Sequence, residues 1–81
     1  MNEADVRYRL GQRIKQLREM QDMSQKDLAY ASDLDRSYIA GVEAGSRNVS
    51  IINVERISHA LNVPLKKFFD TDEFDLRTSP R

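Results

Sequence analysis

The chain has 81 residues, enough for one domain near the small end of what folds unaided. It has no cysteine, no signal-peptide pattern and no apolar run near the roughly 18 residues of a membrane span, so disulfides and thiol chemistry are excluded and a cytoplasmic protein is expected. Its 13 basic and 13 acidic residues cancel; the total charge counts modestly against nucleic-acid binding, which would have to rest on a local field.

Residues 1–5 read as a frayed start. An apolar stripe of Val6, Leu10, Ile14 and Leu17 then predicts a first helix over about 5–22, with Arg7, Arg13, Lys15 and Arg18 off the stripe. Gly11 weakens its middle slightly. Ser24 is a good N-cap, with Asp27 three residues later in a capping-box position, so a second helix runs over about 25–32. It carries Leu28 and Ala29 inward. Asp33 and Leu34 make a corner, where Asp tolerates positive φ better than most residues with a side chain.

Asp35 caps a third helix that carries Ile39 and Val42 inward and ends near Ala44, because Gly45 supplies the left-handed position of a C-cap. A polar loop over 45–49 follows. Ser50 opens a fourth helix to about Leu61, with Ile51, Val54, Ile57 and Leu61 as its apolar face. Pro64 opens a short fifth helix to Phe69. Residues 70–81 are polar, lack periodicity and read as a flexible tail.

With no strand signal, the expected fold is all-α: a five-helix domain over 1–69 with a helix-turn-helix at 25–44. A small residue, Ala29, sits where the two helices of that pair cross. Asp35, Arg36, Ser37 and Tyr38 occupy the leading turn of its second helix, the part that reaches base edges when such a helix enters the major groove. Arg36 can meet guanine O6 and N7 with two parallel hydrogen bonds. Ser37 can read several base edges, and Tyr38 can offer its ring to a thymine methyl and its hydroxyl to a phosphate. Arg36, Ser37 and Tyr38 are therefore the expected base contacts. Arg47 and Asn48 follow the reading helix and are expected on the adjacent phosphates, which position the protein without encoding sequence. Taken singly, each could be an ordinary solvated or packed side chain; the motif is what favours DNA.

The run SQKDLAYASDLDRSYIAGVEAGSRN resembles the XRE-type helix-turn-helix family of phage repressors, Cro proteins and their bacterial relatives. Within it the string LDRSYIxGxExxxRN looks most like the controller proteins of restriction–modification systems. The resemblance covers about residues 8–69 and implies a lambda-repressor-like fold. It implies that Gln25 fixes the DNA backbone, alongside the open N–H groups at its helix start. It also implies that Glu43 is structural and pairs with Arg18. Two positions depart from the wider family. Asp33 stands where Gly is commoner, and Gly41 leaves the reading helix without one side chain, room another backbone could use. The implied role is regulation of the protein's own gene and a nearby restriction gene, activating at one site and repressing at another, with RNA polymerase as a further candidate partner.

A DNA reader of this size covers only a half-site, so a homodimer on a roughly palindromic operator is expected. Val63, Leu65, Phe68 and Phe69 concentrate apolar area after the main core and are the expected two-fold contact, with plain core as the competing reading for the Phe pair. His59 has no cysteine, second histidine or spaced carboxylates beside it, so no metal, cofactor or catalytic residue is expected. The rival functions are a phage-like or sporulation-type repressor, an antitoxin that masks a toxin, and an adaptor that no longer binds DNA. An antitoxin would need a toxin-binding surface, for which the segment after Asp70 offers little beyond Phe74 and Leu76. Gln25, Arg36 and Arg47 argue against the adaptor.

Overall fold

The computed structural model describes residues 5–75. Five helices follow in order: α1 (Val6–Met20), α2 (Gln25–Ser32), α3 (Arg36–Glu43), α4 (Ile51–Ala60) and α5 (Leu65–Phe68). A 3-10 turn, Asp72–Phe74, ends the described chain. The described residues contain no strand, so the class is all-α. No helix among them is long and apolar enough to cross a membrane.

Local chemistry accounts for most boundaries. The Asp5 side chain accepts from the Arg7 N–H and starts α1. Ser24 and Asp27 form a reciprocal capping box that starts α2. Asp33, at φ 58°, reverses the chain after α2. Gly45, at φ 78°, does so after α3. Ser50 accepts from the Asn53 N–H at the start of α4. Pro64 is the N-cap of α5 rather than its first helical residue.

The core is one cluster. Leu10, Ile14 and Leu17 of α1 meet Leu28, Ile39, Val42, Val54 and Ile57 from the other helices and Leu61, the C-cap of α4. Gly11 is the close contact between α1 and α3. A Cβ there would lie 2.5 Å from the carbonyl oxygens of both Val42 and Glu43. The small helix-propensity loss therefore permits a backbone-to-backbone approach that a side chain would prevent.

Three expectations fail against this packing. Val6 is 56% exposed and Ile51 66% exposed. Both lie in the first turn of their helices, beyond the edge of the core, although their spacing matches the buried stripe. Phe68 is completely buried. It belongs to the chain's own core and has no surface to offer a second copy, so it is removed from the expected dimer contact.

The segment after Phe69 also departs from a free tail. Phe74 packs edge-to-face on Phe69, with ring centroids 5.0 Å apart. Arg9 Nη1 donates to the Glu73 carbonyl at 3.1 Å. Arg13 gathers the end of α5, with Nε 2.8 Å from the Phe68 carbonyl and Nη2 3.0 Å from that of Lys67. Cations placed on the last carbonyls of a helix satisfy acceptors it cannot satisfy itself. Of the expected frayed start over 1–5 and flexible tail over 70–81, residues 1–4 and 76–81 lie outside the described residues.

Candidate nucleic-acid interface

The interface expected from the sequence is built by the α2–turn–α3 unit. Ala29 and Leu28 are buried beneath it, and Ile39 and Val42 anchor α3 from the other side. The corner keeps a short backbone link, Leu34 N–H to the Ala29 carbonyl at 3.0 Å. Held on both sides, α3 turns its leading end outward.

That end is chemically open. Asp35 is the N-cap, but its side chain makes no capping hydrogen bond. The first N–H groups of α3 therefore have no intrahelical acceptor, and the partial positive charge of the helix end is not covered. Arg36 and Ser37 are both exposed there. Tyr38 differs: it is half-buried, and its hydroxyl accepts from Asn53 Nδ2 at 3.1 Å. Its hydroxyl proton stays available to an outside acceptor.

The start of α2 lies beside this surface. The capping box satisfies the Asp27 N–H, and Leu28 N–H bonds to the Ser24 carbonyl. Those of Gln25 and Lys26 are left without an intrahelical acceptor. The Asp27 carboxyl is held below its usual range, chiefly by the backbone hydrogen bond from Ser24 and then by the Ser24 side chain.

Gln25 is held from behind. Its Nε2 donates to Glu43 Oε1 at 3.1 Å. The same carboxylate receives Arg18 Nε on Oε2 at 2.7 Å and Arg18 Nη2 on Oε1 at 3.0 Å. Arg18 Nη1 donates to the Met23 carbonyl at 2.7 Å. This is a fork-on-fork pair with side chains only 10% and 4% exposed. The Glu43 hydrogen bonds push the Arg18 pKa up. The pair ties the ends of α1 and α3 to the start of α2 and neutralises the buried carboxylate.

The loop after α3 supplies the rest. Arg47 is exposed, and its guanidinium lies 5.4 Å from the centre of the Tyr38 ring. Asn48 is exposed, and its Oδ1 accepts from Arg7 Nη1 at 3.4 Å, leaving its Nδ2 free to donate outward. Arg36, Ser37, Gln25 and Arg47 thus sit on or around one helix pair. The remaining expected dimer residues lie elsewhere: Val63 and Leu65 are half-buried and Phe69 is 37% exposed.

Sequence reasoning missed several partners. Tyr8, Gln12 and Lys15 of α1 line one groove with Gln25 and Ala40. Only the close packing of α1 against α3 brings them there, and nothing in their own spacing marks them. The Asn53–Tyr38 bond and the Arg47–Tyr38 contact depend in the same way on how the loop returns across α3. The largest exposed aliphatics, Ile51 and Ile52 at 66% and 68%, were also not recognised as surface.

Residues 14–68 match the helix-turn-helix family model. Control protein C.MunI of Mycoplasma sp is 43% identical over 70 residues, which cover 85% of this chain and 95% of that protein. Control protein C.BamHI of Bacillus amyloliquefaciens is 45% identical over 67 residues, covering 82% and 83%. Among solved structures, the restriction–modification controller protein C.AhdI from Aeromonas hydrophila aligns with a TM-score of 0.76 at 42% identity, over 79% of this chain and 97% of that one. The C.Esp1396I controller, solved as a tetramer in complex with its natural 35 base-pair operator, aligns with a TM-score of 0.78 at 42% identity, over 80% and 86%.

Proposed function

The chain belongs to the helix-turn-helix family, among the restriction–modification control proteins, and on that premise we propose a sequence-specific DNA-binding transcriptional regulator that acts as a homodimer on a palindromic operator. It regulates its own gene and a restriction gene. Activation at one of its sites adds RNA polymerase as a partner, and its DNA target places it in the cytoplasm. We assign it no catalytic reaction. The relatives give no support to the antitoxin reading.

One observation carries the proposal. An uncapped helix end presents Arg36 and Ser37 to solvent while a buried ion pair fixes the neighbouring Gln25. Arg36 and Ser37 read bases. Tyr38 adds its ring edge and its hydroxyl proton, the latter directed to a phosphate. Gln25 and the α2 N–H groups grip one phosphate, and Arg47 and Asn48 grip others.

The second copy covers Ile51, Ile52 and Phe69. Ile51 lies one helical turn before Val54, which lines an apolar groove with Phe69 and Phe74. Val63 and Leu65 are assigned to the margin of that contact.

The test is Arg36→Lys, which keeps the charge and loses the planar fork. Affinity for random DNA should survive nearly unchanged. Preference for guanine at one symmetric position of each half-site should fall about ten-fold, since a bidentate pair gives roughly 1–3 kcal/mol of discrimination. Binding to single-base operator variants measures this. A lysine variant that discriminates as well as the parent would reduce Arg36 to a phosphate clamp and pass base reading to Ser37 and Tyr38.

A further inference from the structure

Gly41 lies inside α3, where glycine is the poorest helix former short of proline. The sequence suggests that its missing side chain makes room for a backbone, but what fills the space is a side chain. A Cβ on Gly41 would lie 3.0 Å from Cγ and 3.2 Å from Nε of Arg47, and 3.4 Å from Ser46 Oγ. Arg47 therefore lies flat across α3, directly over the glycine.

The surrounding bonds define where that side chain ends. The Ser46 N–H donates to the Gly41 carbonyl at 3.0 Å, and Ser46 Oγ donates to the same oxygen at 3.1 Å, so the loop is latched at this residue. The Arg47 guanidinium then meets the Tyr38 ring, and Asn53 holds the Tyr38 hydroxyl from α4. A cation that belongs to the loop behind the helix is thereby carried back over Tyr38, a residue of the leading turn.

We infer that Gly41 is a positioning residue for DNA binding: its lack of a side chain lets Arg47 lie across α3 and hold its charge at the leading turn of the reading helix. The inference rests on the DNA-binding reading above. Ordering a long cation before association removes part of the conformational cost of binding.

Gly41→Ala separates this role from a structural one, because the two move in opposite directions. The methyl group meets the stem of an exposed, flexible side chain, so Arg47 swings away cheaply and the gain in helix propensity raises Tm. Affinity for a labelled random-sequence duplex at low salt, read by fluorescence anisotropy, should nevertheless fall about two- to five-fold, the weight of an exposed cation–π contact. Arg47→Ala should weaken binding further and flatten the plot of log K against log salt by about one unit. In the Arg47→Ala background, Gly41→Ala should still raise Tm but leave affinity unchanged.

Unchanged affinity for Gly41→Ala in the parent overturns the inference. So does an equal loss in both backgrounds, which would mean that the methyl group itself meets the DNA, and so does an Arg47→Ala chain with normal affinity and salt slope. Parent protein that binds no DNA at all would instead refute the regulatory reading.

Discussion

Removing Glu43 tests how the interface is held. Its carboxylate takes two hydrogen bonds from Arg18 and one from Gln25, in a site where the charged side chains are almost fully covered. Glu43→Ala leaves the guanidinium buried with only the Met23 carbonyl as partner. An orphaned buried charge costs about 3–5 kcal/mol. A chain of this length has a total stability of roughly 4–12 kcal/mol. The single variant should therefore lose about a quarter or more of its stability, seen as a lower urea midpoint by circular dichroism with little change in slope. Replacing both partners, Arg18→Met with Glu43→Leu, removes the desolvation cost together with the attraction. It should recover at least about 2 kcal/mol relative to Glu43→Ala. The double variant still deprives Gln25 of its anchor, so it should fold well and bind all DNA more weakly. A loss below about 1 kcal/mol for Glu43→Ala, or a double variant no more stable than the single one, would refute the reasoning.

The dimer face and the acid response give further checks. Ile51→Asp combined with Ile52→Asp should sediment as a monomer with unchanged helix content, because neither side chain is in the core, whereas Phe68→Ala should cost about 3–5 kcal/mol of stability. A dimeric Ile51/Ile52 variant would move the contact elsewhere. For pH, the Asp5 carboxyl is lowered to about 2, first by the side-chain hydrogen bond from Arg7, and that of Asp27 is lowered by Ser24. Both depressed groups stabilise when ionised, so their contribution is present above the ordinary carboxylate value of about 4 and is lost as pH falls through the lowered values, about 2 for Asp5. Asp5→Asn and Asp27→Asn should each flatten the dependence of Tm on pH in that window; an unchanged slope would remove the carboxylate from the cap.

The helix pair was legible because its signals are local. Ser24 with Asp27 and the positive-φ corner at Asp33 are local chemistries, and each recurs in the structure where the sequence suggests it; Asp35 takes the expected N-cap position, although its side chain makes no capping hydrogen bond. Periodicity was less sufficient. It marks which way a side chain points and not where the neighbouring helices stop, which is why Val6 and Ile51 share the buried spacing yet stand in solvent. Within the Phe68–Phe69 pair, only the docking of α5 decides which ring turns inward. The return of residues 71–74 onto α1 depends on Arg9 reaching the Glu73 carbonyl, and the docking of α5 on Arg13 reaching that of Phe68, each more than fifty positions away. Arg47 over Gly41 depends likewise on the path of the loop.

Selection of bound duplexes from a random-sequence pool tests the central claim most directly. If α3 reads bases from two copies related by a two-fold axis, the recovered sequences will share a symmetric pattern. The pattern should include a guanine in each half-site, and the half-site centres should lie about 34 Å, one turn of DNA, apart. A pool that stays random after repeated rounds, or one that yields a single unrepeated half-site, would contradict it.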